Sequence, residues 1–146
     1  MVSSKRFKPV QRVAESREKK AAHEFGESQR LMRAEEERLG ELRRYHQEYL
    51  ERFETTARGG ISASQMQEYR AFIAKLDQAI NQQEQVVEES HQQFVIRKES
   101  WKMKHVRTKV LEKTVDRMRQ TERRTINLRE QKEQDEHSRR SGEEES

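Results

Sequence analysis

The sequence predicts an all-α fold: a long two-helix antiparallel coiled-coil hairpin with a C-terminal helical overhang. Three observations predict it. Met66, Ile73, Ile80, Val87, Phe94, Trp101, Thr108 and Val115 stand seven residues apart. A second row, Tyr69, Leu76, Gln83, Ser90, Arg97, Lys104, Leu111 and Met118, lies three residues behind. Two interlocked rows at this spacing place one narrow seam along a long helix. Upstream, Gly59-Gly60 punctuates a similar pattern as a turn. Finally, 30% of residues are hydrophobic and 40% charged. That is too little apolar material for a globular core, yet enough for a two-row seam.

The elements follow in order. A first helix is expected over residues 5–56, with Pro9 near its start, where a helix tolerates proline. Its rows are Phe7, Ala14, Ala21, Ser28, Glu35, Leu42, Tyr49 and Phe25, Met32, Leu39, His46, Phe53. A turn over 57–61 leads to a second helix over 62–133. Ser62 is placed to cap that helix, Gln65 to complete a capping box, and Ile61 and Met66 to form a hydrophobic staple. These parts make a single domain over 1–137, followed by a disordered acidic tail over 138–146.

A short turn forces the two helices antiparallel. The rows then set a register that pairs Tyr49 with Tyr69, Leu42 with Leu76, Glu35 with Gln83, and Phe25 with Phe94. Towards the chain ends it pairs Ala14 with Lys104 and places Phe7 near Leu111. At 1.5 Å per residue the helices are roughly 75 Å and roughly 110 Å long. The second is therefore expected to overhang from around Thr114, leaving Val115 and Met118 without cover and suited to a partner. The half towards the chain ends pairs small residues with basic ones, so it is expected to be the softer half. Tyr45 and Phe72 belong to neither row. The register sets them opposite each other on one flank, with Ala79 two turns along from Phe72, as candidate interface anchors.

Chemistry is sparse. No two of the five histidines stand three or four residues apart, so no helix face offers a two-histidine metal site. Gly59-Gly60 is not part of a phosphate loop, serine nucleophile motifs are absent, and nothing forms a pocket to shift a carboxylate. No enzyme activity and no cofactor are expected. The absence of cysteine excludes disulfides and thiolate metal sites. With no spanning segment and no signal-peptide core, the chain is expected to be soluble and made without export. Basic residues crowd the N-terminus and the stretch from Arg97 to Arg124, giving either a solvated face or a docking surface for an acidic partner. They are interleaved with acids and lack the aromatic alternation of a stacking platform, so nucleic acid is not the expected partner.

Leu42-x-x-Tyr45-x-x-x-Tyr49, Gly60-Ile61-Ser62 and Tyr69-x-x-Phe72-Ile73-x-x-Leu76-x-x-Ala79-Ile80, with downstream Trp101, Lys104 and Arg107, resemble the flagellar FliJ family. The resemblance covers most of the chain, and its specific part is roughly 42–80. It implies a cytoplasmic component of the flagellar type III export apparatus, similar to the coiled-coil stalk subunit of rotary ATPases. Such a component associates with the inner face of the membrane only through its partners. Those partners are a hexameric export ATPase, the membrane export gate and export chaperones. The family's gate-contacting surface falls on Leu42, Tyr45, Tyr49, Phe72, Leu76 and Ala79. A basic end docking in the ATPase ring would use Arg6, Lys8, Arg12, Lys109, Lys113, Arg117 and Arg123. The free protein is expected to be monomeric. Two rival expectations remain: a general structural or adaptor coiled coil, which would self-associate through Val115 and Met118, and a basic nucleic-acid-binding rod.

Overall fold

The computed structural model describes residues 3–145. A 3-10 turn, Ser4–Phe7, leads into α1, Lys8–Arg58, and the chain returns as α2, Ala63–Glu145. The two long helices pack against each other as an all-α hairpin, with no strand among the described residues.

Local chemistry explains each boundary. Ser3 caps the 3-10 turn: its hydroxyl accepts from the Lys5 N–H at 3.3 Å and its carbonyl from the Arg6 N–H at 3.1 Å. Pro9 occupies the second position of α1, where its missing N–H breaks no intrahelical bond. At the other end the Gly59 and Gly60 N–H groups donate to the Thr56 and Ala57 carbonyls, each at 3.1 Å. Gly60 has φ 89°, a left-handed conformation that glycine adopts without steric cost. The expected capping box is present: the Gln65 N–H donates to the Ser62 hydroxyl, and the Ser62 N–H to the Gln65 side-chain oxygen, both at 3.1 Å.

Contacts cluster into two compact units, Ala21–Trp101 and residues 3–20 with 102–145, where the sequence predicts a single domain. Each facing pair in a hairpin touches only the turns beside it, so contacts stay local along the helices.

In the Ala21–Trp101 unit the predicted register holds. Tyr49 and Tyr69 lie 5.4 Å apart between ring centroids, as do Phe25 and Phe94; Trp101, which the register does not set against Phe25, also stacks on it at 5.8 Å. The buried Gln83 amide donates to the Glu35 carbonyl at 3.1 Å and to its carboxylate at 2.5 Å. A buried amide left without acceptors costs about 1–3 kcal/mol, so sliding either helix by a turn is penalised at this position. Small buried residues, Ala21 and Ser90, allow close approach of the helices. Arg97 alone among the residues of the two α2 rows is exposed, and its guanidinium pairs with Glu24 at 3.1 Å.

In the terminal unit the structure corrects the register. Thr108, expected one turn beyond the partner of Ala14, has its hydroxyl 3.5 Å from the Ala14 carbonyl. Ser4 reaches Glu122, donating from its backbone N–H at 2.7 Å and from its hydroxyl at 2.9 Å. The shift is already present at Ala14, inside α1; beyond it the 3-10 turn adds reach at Ser4, since it rises about 2.0 Å per residue against about 1.5 Å in an α-helix. Val115 and Met118 are therefore not an uncovered overhang: Val115 is 1% exposed and Met118 half-buried. The uniformly exposed stretch begins only at residue 126.

The tail is also corrected. Residues 138–145 continue α2 where the sequence predicts disorder; Ser146 lies outside the described residues. The tail is rich in Arg and Glu, good helix formers, and holds no proline, while Gly142 alone costs about 1 kcal/mol.

Two carboxylates in the terminal unit titrate low. Glu122 is held below its usual value chiefly by the Ser4 backbone N–H, then by the Ser4 hydroxyl. Glu18 is lowered chiefly by its hydrogen bond to His105 Nδ1, at 2.6 Å. A depressed folded pKa stabilises fully above the unfolded carboxylate value, about 4.3, and that stabilisation is lost as pH falls through the folded value. Denaturant unfolding of the terminal unit is therefore expected at lower midpoint at pH 3.5 than at pH 6. Glu122→Gln should flatten that dependence, with the Ala21–Trp101 unit unaffected by the substitution. Amide NMR signals resolve the two units.

Candidate interaction surfaces

The first surface lies in the Ala21–Trp101 unit, next to the turn. Tyr45 and Tyr49 are one helical turn apart on α1; Tyr69 and Phe72 are three residues apart on α2. Once the register is set, these four rings and Phe53 form one connected cluster. Phe72 lies 4.4 Å from Tyr49 and 6.1 Å from Tyr45, the latter pair edge-on at 79°. Tyr69 lies 5.0 Å from Phe53, also edge-on. Such geometry is favourable by about 0.5–1.5 kcal/mol per pair beyond burial. Burial, followed by the neighbouring Tyr69, Tyr45 and Glu68, pushes the Tyr49 hydroxyl pKa up, so the ring stays neutral.

The six predicted gate-contacting residues are not equivalent. Tyr45 is 46% exposed and lies over Phe72, which is half-buried beneath it. Leu42, Tyr49 and Ala79 are also half-buried. Leu76 is 7% exposed and belongs to the seam, where it supports the patch from below. The surface open to a partner is thus Tyr45 with the rim of Phe72, bordered by Leu42, Tyr49 and Ala79. Polar pairs cross the hairpin in the same unit: His46 Nε2 lies 2.8 Å from Asp77 Oδ1, Arg43 3.1 Å from Glu84, and His91 2.5 Å from Glu36. The two-row pattern does not reveal these pairs, because all the partners except His46 sit outside the rows; polar residues four to nine positions off the seam register are the signal that finds them.

The second surface is in the terminal unit. Arg6, Lys8, Arg12, Lys109, Lys113, Arg117 and Arg123 are all exposed there. Lys109, Lys113 and Arg117 are spaced by four and share one outward ridge of α2. Lys109 also pairs with Glu112 at 3.4 Å. Sequence reasoning missed an apolar groove in this unit, lined in part by Val10, Val13, Val110 and Leu111. Val10 with Val13 and Val106 with Val110, spaced three and four apart outside the seam rows, are the signal that marks it.

Among the described residues no group of His, Cys, Asp or Glu is arranged to hold a metal ion, and no helix is long and apolar enough to cross a membrane. A sequence model of the family described as "Flagellar FliJ protein" matches residues 3–144. No curated protein and no solved structure matches the chain.

Proposed function

The chain belongs to the flagellar FliJ family, a family of non-catalytic flagellar export components, and from that premise we propose that it couples the export ATPase to the export gate. In this reading the terminal unit enters the central hole of the ATPase hexamer, and the aromatic patch of the Ala21–Trp101 unit meets the membrane export gate. Export chaperones are further partners, and the protein works in the cytoplasm, held at the inner face of the membrane by those contacts alone.

The observation that carries this reading is the Tyr45–Phe72 pair. A two-helix hairpin has little interior, and its seam is already filled by other residues. Large rings packed edge-on outside the seam, with Tyr45 nearly half exposed, suit a protein interface, where aromatic anchors supply much of the binding energy. The exposed cations of the terminal unit suit a ring lined with carboxylates, held through many screened contacts. Coupling requires two partners that each bias one element, and these are two chemically distinct surfaces available for them.

Charge reversal tests the ATPase contact. Arg117→Glu with Arg123→Glu is expected to weaken stimulation of the purified export ATPase by about tenfold at low salt, with a smaller difference at high salt. Gate binding should be unchanged. Unaltered stimulation would reject the assignment of these cations.

A further inference from the structure

The groove in the terminal unit gathers exposed apolar side chains from both helices. A two-helix hairpin should be polar away from its seam. Here Val10, Val13 and Val110 are each at least half exposed although they line a groove of about 500 Å³. Ala14 and Leu111, from the margin of the seam, complete its apolar floor. Val106 and Met103, also well exposed, extend the apolar surface of α2 in the same unit. Valine is stiff at χ1, so this floor is largely pre-formed and little side-chain freedom is lost when it is covered.

The rim of the groove has one sign. Arg17, Lys104 and Arg107 line it, and no carboxylate does so among the described residues. No ion pair among the described residues engages any of the three. An apolar trough between two helices, edged by unengaged cations, therefore has a specific complement.

We propose that this groove binds an amphipathic α-helix of a partner protein, with its apolar stripe on the valines and its flanking carboxylates against Arg17, Lys104 and Arg107. A third helix lays its side-chain ridge into the furrow between two packed helices and makes a local three-helix bundle. The carboxylates fix its orientation and exclude basic helices, which would meet like charge. A second copy of the chain is the poorer occupant: a two-fold contact through this face would bring both sets of three cations together. Nucleic acid would leave the apolar floor unmatched. The inference stands on the groove and not on the flagellar assignment.

The test is selection of binding peptides on the immobilised full chain from a displayed library of 20-residue helical peptides. Enriched sequences are expected to carry apolar residues at i, i+3, i+4 and i+7 with Asp or Glu on both flanks. Synthesised, they should bind Val13→Glu/Val110→Glu and, separately, Arg17→Glu/Arg107→Glu at least about tenfold more weakly than the unaltered chain. Both pairs alter exposed side chains, so circular dichroism should be unchanged, and the second pair tests the rim with the floor intact. Enrichment of basic or unpatterned peptides, no enrichment, or equal binding by both variants overturns the proposal. So does concentration-dependent dimerisation in sedimentation that Val13→Glu/Val110→Glu abolishes, since the groove would then belong to a second copy.

Discussion

Replacing Tyr45 and Phe72 together by alanine is expected to leave the hairpin helical while reducing affinity for the export gate by at least about thirtyfold and abolishing motility. The magnitude follows from the role proposed for the pair. Truncating a buried aromatic anchor at an interface costs about 2 kcal/mol or more, and each 1.4 kcal/mol is tenfold in affinity. The cost to folding is smaller. Tyr45 is nearly half exposed and Phe72 half-buried, so neither truncation opens a sealed cavity. Leu39, Leu76 and the Gln83–Glu35 hydrogen bonds continue to hold the unit. Titration calorimetry with the soluble domain of the gate, beside thermal melts, separates the two effects. A large loss of helicity would make the rings core and remove the docking role; retained gate affinity would do the same.

Val115→Asp should unfold the terminal unit, whereas Val110→Asp, only five residues earlier, should be close to neutral. Among the described residues Val115 is the most buried large side chain, at 1% exposure, and Val110 is more than half exposed. Burying an unpaired carboxylate costs several kcal/mol, and this unit has few apolar contacts with which to offset it. Hydrogen exchange read over residues 4–20 and 102–125 is expected to show loss of protection for Val115→Asp, with the Ala21–Trp101 unit retained. Equal, small effects at both positions would restore the uncovered overhang that the seven-residue rows imply. The same contrast bears on self-association: a buried Val115 has no surface to offer a second copy.

Much of the hairpin is legible in the residues. Heptad spacing places every member of both α2 rows except Arg97 out of full exposure, because a 3.5-residue repeat leaves a single face for the partner helix. Gly60 and the Ser62–Gln65 box mark the turn through backbone chemistry that needs no tertiary contact. Tyr45 and Phe72 could be set opposite each other because the register near a short turn has almost no freedom. Further from the turn each added residue accumulates error, and the drift of a 3.6-residue helix against a seven-residue repeat goes unseen in a list of apolar positions. The Ser4–Glu122 bonds lie beyond that limit: a polar pair outside the hydrophobic pattern gives no periodic signal.

The sequence by itself determined the helices, their turn, their antiparallel sense and the aromatic flank. Each of these depends on spacing within a few turns or on the capping of one chain reversal. Only the tertiary structure decided what covers the distal seam. It buried Val115, half-buried Met118, and left Val10, Val13 and Val110 lining a groove. The physical reason is that burial is a property of two surfaces brought together. A heptad names the face a helix offers, but whether that face is covered depends on how far the facing segment reaches, and here it continues to Ser4, which bonds Glu122.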